Sequence, residues 1–133
     1  MKFTRRHTES GKAPYEGIEF LVVAGPDAIA AVEFPVYWSA AARNTCLKKC
    51  FVFEGIACDL VQVAEDDVPA WLWRHAPAGT GKELRGETSL CQVIDRVVGG
   101  WTSQGWKGGY FDSDEDARIF YDECRWLLAR QKI

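Results

Sequence analysis

Thr88-Ser89-Leu90-Cys91-Gln92-Val93-Ile94-Asp95-Arg96-Val97-Val98-Gly99-Gly100 and, farther on, Ser113-Asp114-Glu115-Asp116-Ala117-Arg118-Ile119-Phe120-Tyr121-Asp122-Glu123-Cys124 decide the fold. In the first run Leu90, Val93, Ile94, Val97 and Val98 recur at helical spacing behind a Thr or Ser suited to cap a helix N-terminus. Gly99-Gly100 then predicts a stop, because glycine accepts the positive φ that commonly ends a helix. In the second run Ser113 and Asp116 stand at capping-box spacing, and Ala117, Phe120, Tyr121, Cys124, Leu127 and Leu128 follow on one stripe. Two amphipathic helices are expected, with Trp101 to Tyr110 between them as a loop of glycines and aromatics.

Upstream, Ile18, Phe20 and Val22 alternate with Glu19 and Leu21. Gly25-Pro26-Asp27 supplies turn chemistry before a second extended run, Ala28 to Phe34, so a β-hairpin is expected. Pro35 suits the first turn of a helix running from Val36 to Lys49, with Lys48 and Lys49 near its negative end. Ile56 to Val63 alternates as a short third strand. Asp66-Asp67-Val68-Pro69 then offers an acidic cap and a first-turn proline ahead of Trp71-Leu72-Trp73. Ala76 to Gly86, with Pro77, Gly79, Gly81 and Gly86, reads as a surface loop. The fold class is α+β: a small N-terminal β-hairpin or sheet followed by a mainly helical bundle of three to four helices. No internal repeat or low-complexity tract interrupts residues 1–133, which we read as one domain.

The 133 residues suffice for one core, burying roughly two-thirds of the unfolded surface. A hydrophobic share of 47% with six Trp lies far from the composition of disorder. The net charge of −3 provides no positive field for phosphate backbones or an anionic membrane, which argues against nucleic-acid and membrane partners. The longest apolar runs, Phe20 to Gly25 and Ala28 to Val32, fall well short of the roughly 20 residues of a membrane-spanning helix. Met1 to His7 lacks a following apolar region and a cleavage site, so a cytoplasmic location is expected. Five cysteines, Cys46, Cys50, Cys58, Cys91 and Cys124, fit reduced thiols better than a disulfide framework.

Several local patterns invite chemistry and fall short of it. Gly79-Thr80-Gly81-Lys82 suggests a phosphate loop, but the required Gly and Ser/Thr positions hold Ala76 and Glu83. Asp112, Asp114 and Asp116 alternate as in a calcium loop, yet Ala117 stands where the loop needs glycine, and acidic residues at a helix N-terminus complement its dipole anyway. Cys46, Cys50 and Cys58 lack a CxxC pair and a nearby histidine, so core thiols are a better reading than a metal site. No catalytic, cofactor-binding or metal-ligating residue is assigned. What remains is the aromatic excess: Trp101, Trp106, Lys107 and Tyr110 combine residue types enriched at binding hot spots with glycines, and we read them as a docking surface.

Beyond these patterns, strings of motifs in fixed order resemble the opening of bacterial adenosylcobalamin-dependent (class II) ribonucleotide reductases. They include Arg5-Arg6-His7-Thr8, Pro14-Tyr15-Glu16-Gly17-Ile18-Glu19-Phe20, Lys49-Cys50-Phe51 and Glu65-Asp66-Asp67-Val68-Pro69-Ala70-Trp71-Leu72-Trp73-Arg74. Gly86-Glu87-Thr88, Trp101-Thr102, Gly105-Trp106-Lys107-Gly108, Tyr110-Phe111-Asp112-Ser113, Glu115-Asp116-Ala117-Arg118 and Phe120-Tyr121-Asp122-Glu123 continue the series. The chain departs from that pattern in a shorter stretch over residues 21–34, in Arg43-Asn44-Thr45-Cys46, and in Cys50, which stands where the family resembles an aromatic.

The resemblance implies an N-terminal accessory domain of a ribonucleotide reductase, or a stand-alone relative, serving DNA precursor synthesis. In the family a ten-stranded α/β barrel binds cobalamin and substrate and carries the reactive cysteines. None of those catalytic residues maps onto this chain. The implied partner is therefore a catalytic barrel in cis or in trans, with homo-oligomerisation left open. No ribonucleoside-diphosphate reduction and no adenosylcobalamin binding are expected from residues 1–133 alone. The alternative is a free-standing module that binds a protein or nucleotide on the Trp/Gly-rich loop. A small Cys–His enzyme using His7 or His75 is a third reading.

Overall fold

In the computed structural model, residues 2–25, 31–51, 64–73 and 87–132 are described with their side chains, and 60–62 and 75–77 by their backbone. Gly79-Thr80-Gly81-Lys82, Cys58 and the first parts of the expected second and third strands lie outside the described residues.

The hairpin forms as its alternation requires. Strand β1, Phe20–Val23, runs antiparallel to β2, Val32–Pro35, with Leu21 opposite Phe34 and Val23 opposite Val32. Successive side chains point to opposite faces, so Leu21, Val23, Val32 and Phe34 go together into the core while Val22 stays in solvent. The other edge of β2 meets the start of the long helix: the Glu33 N–H donates to the Thr88 carbonyl at 2.8 Å.

Pro35 does not open a helix. It ends β2, where its missing N–H costs nothing, and the Val36 N–H extends the ladder to the Glu19 carbonyl at 3.0 Å. Helix α1 therefore spans Ala40–Lys49, four residues later than Val36. Ser39 caps it by accepting from the Ala42 N–H, and Lys48 and Lys49 complement its C-terminal end.

A second antiparallel pair, β3 (Leu60–Gln62) with β4 (His75–Pro77), brackets the tryptophan segment. Ala76 and Pro77 thus belong to a strand rather than to the expected loop. Between the strands, Ala70–Leu72 makes a single 3₁₀ turn, preceded by Pro69 with no side-chain cap. Asp67 takes a left-handed φ of 70° instead of capping, which turns the chain before the proline. The Trp73 indole N–H donates to the Glu65 and Val68 carbonyls at 3.2 and 3.3 Å and closes this segment on itself.

Helix α2 spans Leu90–Lys107 and α3 Asp114–Ala129. Ser89 caps α2 in a full capping box with Gln92, whose side chain accepts from the Ser89 N–H. Ser113 caps α3 by accepting from the Asp116 N–H. The Asp116 carboxylate does not return that bond; it accepts from the Phe3 N–H at 3.1 Å. Contrary to expectation, α2 continues through Gly99-Gly100. Each glycine there costs about 1 kcal/mol relative to alanine, but Val98 and Thr102 on either side are fully buried and hold the helix. The stop comes later. Gly109 sits at φ 74°, the Tyr110 N–H reaches the Gly105 carbonyl at 3.0 Å and the Gly109 N–H reaches the Trp106 carbonyl at 3.1 Å, the paired bonds of a Schellman motif.

The core joins Val32 and Phe34 of the hairpin, Cys46 of α1, Leu90, Val93, Ile94 and Val98 of α2 and Ala129 of α3. Each large side chain buried there contributes about 1.5–3 kcal/mol. The class is α+β, with three α-helices among the described residues, as expected. Among the described residues no helix is long and apolar enough to cross a membrane.

Candidate functional site

The four expected docking residues fall on the C-terminal half of α2 and the turn after it. Trp101 is 46% exposed in mid-helix and Tyr110 is 64% exposed on the Schellman turn. A Cβ on Gly108 would meet the Tyr110 ring at 2.9 Å, so that ring lies over Gly108. Gly108 follows Trp101 by seven residues, almost two whole turns, and Trp101 and the Tyr110 ring therefore line one side of α2. Trp106 is half-buried and comes off the helix in a different direction. Lys107 is turned toward the tryptophan segment, where its ammonium pairs with Glu65 Oε1 at 3.0 Å. The exposed surface is thus centred on Trp101 and Tyr110, with Trp106 and Lys107 at its margins.

Beside it, an alanine Cβ at Gly99 or Gly100 would meet nothing within 4 Å among the described residues. Gly105 is different: the Phe111 ring would stand 2.8 Å from a Cβ there, so only glycine admits that ring. Phe111 belongs to a cluster with Phe3 and Phe120, with ring centroids 5.5 to 5.8 Å apart. The turn carrying Tyr110 is therefore anchored from beneath while its outer ring stays exposed.

A second constellation was not foreseen as a unit. The segment Phe3–Thr8 lies along α3 as a strap held by carboxylates. Arg5 Nη1 pairs with Asp122 Oδ2 at 2.8 Å, and Glu123 accepts from the N–H groups of Arg6, His7 and Thr8 and from the Thr8 hydroxyl, the last at 2.6 Å. The His7 ring stacks on Trp126 at 4.2 Å. Burial alone would raise the Glu123 carboxyl; the bonds from Thr8 and from the Arg6 and His7 amides outweigh it and hold the group below the usual glutamate range. Nearby, Tyr15 donates to Asp95 Oδ1 at 2.6 Å, and Arg125 bridges Asp95 and Asp122 while lying 3.8 Å over the Tyr121 ring. Burial first, then Asp95, pushes the Tyr15 hydroxyl well above its ordinary value. Arg5-Arg6-His7-Thr8 and Phe120-Tyr121-Asp122-Glu123, stretches far apart in sequence, are here one interlocked structure.

A family profile described as class II vitamin B12-dependent ribonucleotide reductase matches residues 27–131. The chain belongs to that family. It is 40% identical to the vitamin B12-dependent ribonucleotide reductase of Bradyrhizobium diazoefficiens and 36% identical to that of Agrobacterium fabrum, each alignment covering 100% of this chain. The enzyme of the same name from Streptomyces avermitilis is 28% identical over 98% of the chain. In all three the chain spans 12% of the relative's length and corresponds to the N-terminal domain of these reductases.

The family's name implies a cobalamin, and the cavity lined by the N-terminal segment and α3 does not fit one. A shallow cavity of about 120 Å³ lies among His7, Thr8, Lys12, Pro14, Trp126 and Arg130. Small-molecule pockets run from roughly 300 to 1,000 Å³, so this cavity is too small for a corrinoid. The carboxylates that suggested calcium diverge: Asp114 is engaged by Trp71 and Arg118, and Asp116 by Phe3. Among the described residues no group of three or more His, Cys, Asp and Glu is placed to hold a metal ion. Of the cysteines described, Cys46 is buried, Cys91 and Cys124 are half-buried and Cys50 is exposed, all four as free thiols.

Proposed function

We propose that residues 1–133 act as a cytoplasmic, non-catalytic accessory domain of a vitamin B12-dependent ribonucleotide reductase and seat the enzyme's catalytic barrel against Trp101 and Tyr110. The observation that carries this reading is the pair of exposed rings on one side of α2, mounted on an anchored turn in a chain that spans 12% of its relatives. Aromatic side chains on a rigid support lose little entropy on docking, which suits them to a binding hot spot.

The test is a binding titration of this chain against the remaining polypeptide of the Bradyrhizobium enzyme. Trp101→Ala with Tyr110→Ala is expected to weaken association by about 2 kcal/mol, roughly thirtyfold in Kd. Wild-type affinity in the double variant would refute the proposed surface. Separately, anaerobic incubation of the chain with adenosylcobalamin, reductant and a ribonucleoside diphosphate should yield no deoxyribonucleotide. Turnover by the purified 133-residue protein would refute the accessory role.

A further inference from the structure

Cys46 and Cys50 stand one helical turn apart at the end of α1, and their environments differ sharply. Cys46 lies in the core, whereas Cys50 is the C-cap residue and is exposed. Burial, and a hydrogen bond with the Cys50 thiol, push the Cys46 thiol up to about 12. One thiol is thus reachable from solvent and the other is shielded. No other pair of cysteines in the sequence is three or four residues apart.

Residues four apart on a helix hold their Cβ atoms about 5–6 Å apart, whereas a disulfide brings them to about 3.8 Å. Closure therefore requires movement, and the end of α1 permits it. Cys50 is outside the regular helix at φ −107°, and its N–H and that of Phe51 both converge on the Cys46 carbonyl, at 2.8 and 3.2 Å. A bridge made this way carries strain and is readily reduced.

We infer that Cys46 and Cys50 form a reversible oxidation site that takes hydrogen peroxide as its oxidant. The exposed Cys50 sulfur attacks one peroxide oxygen; the O–O bond breaks and yields a Cys50 sulfenic acid and one water. The Cys46 sulfur then attacks the Cys50 sulfur, the S–O bond breaks, and the leaving hydroxide departs with the Cys46 proton as a second water. Two thiols are oxidised to one disulfide and one peroxide is reduced to two waters. The change is transmitted to α2. The Cys50 carbonyl accepts from Arg96 Nη2 at 2.6 Å, and the same guanidinium grips both carboxylate oxygens of buried Glu87 at 3.1 Å. Drawing Cys50 toward Cys46 pulls on that clamp at the start of α2.

The full chain would be treated with hydrogen peroxide, its remaining thiols alkylated, and the protein digested with trypsin without reductant. Lys48 and Lys49 lie between the cysteines, so trypsin separates them and the bridge appears as two linked peptides, about 2 Da lighter than their sum and released by dithiothreitol. A Cys46–Cys50 link is expected in the wild type, with its complete loss in Cys50→Ser, a change at an exposed position. In the wild type, a bridge from Cys50 to any other cysteine, or over-oxidation of Cys50 while Cys46 remains a free thiol, would overturn the inference without needing a Cys46 variant to fold.

Discussion

In the first half of α2, Leu90, Val93, Ile94 and Val98 are no more than 4% exposed, whereas the second half holds Trp101 in solvent and two glycines beside open space. The backbone is one continuous helix. The first half makes it a helix, through the Ser89 and Gln92 capping box and the hydrophobic stripe. The second half extends it and is tied down at the far end by Phe111 against Gly105 and by the Schellman turn. A rigid element can thus carry side chains that its own fold does not need, which is what a docking surface requires.

The contrast is broken most directly by truncation. Ile94→Ala should lower unfolding stability by about 2–5 kcal/mol, as buried large-to-small changes do, whereas Trp101→Ala should cost under about 1 kcal/mol. Denaturant midpoints of both variants check this, and comparable losses would erase the distinction. A smaller loss, about 1–2 kcal/mol, is expected for Arg96→Met. It leaves the Glu87 carboxylate without its guanidinium, although Arg96 is itself partly solvated.

In the second half the sign should reverse. Gly99→Ala and Gly100→Ala place a Cβ clear of every described residue on a helical backbone, so each should stabilise the isolated chain by up to about 1 kcal/mol. If the barrel approaches α2 closely at these glycines, the same pair of changes weakens barrel binding while raising the melting temperature. Thermal denaturation and the binding titration together read both effects.

Acid sharpens the picture most gently, through a carboxylate on α3. Glu123 is depressed below its ordinary value near 4.5 in the folded protein. Its contribution is fully present above that value and disappears as pH falls through the lower folded one. The protection factors of the Arg6, His7 and Thr8 amides, taken relative to the intrinsic slowing of exchange in acid, should therefore fall on acidification while those of Val93 to Val98 hold. Glu123→Gln should remove the pH dependence of the strap, and an unchanged acid response in that variant would show that other carboxylates govern it.

Much of this fold was legible in the residues. Pro35 gives a stronger local helix signal than Ser39, the residue that caps α1, whereas Ser89 and Ser113 each mark the helix that follows them. Gly99-Gly100 misled because a glycine pair signals a stop only when the stripe ends with it. Here the buried face continues through Thr102 and Ser103, polar residues that hydrophobic periodicity does not register. The Thr102 hydroxyl hides its polarity by donating to the Val98 carbonyl at 2.7 Å. Strand β4 was missed because three residues carry no alternation and its pairing with β3 is made across the tryptophan segment. Trp101 and Tyr110 stand out in the residue pattern, but the side of α2 they share depends on where that helix stops, which the glycine pair obscures. The strap had no local signal at all, since the carboxylates that hold it come from the opposite end of the sequence.

That distance gives the strap a place in time as well as in space. The Thr8 hydroxyl and Glu123 are 115 residues apart along the chain, so their bond closes nearly the longest loop available. The α2–α3 hairpin and the β1–β2 ladder join neighbours and can form early, whereas Glu123 can receive the strap only once α3 is seated. The strap should be absent from the folding transition state. Loosening it through Glu123→Gln would then leave the refolding rate nearly unchanged and speed unfolding, the kinetic signature of a latch that closes last and opens first.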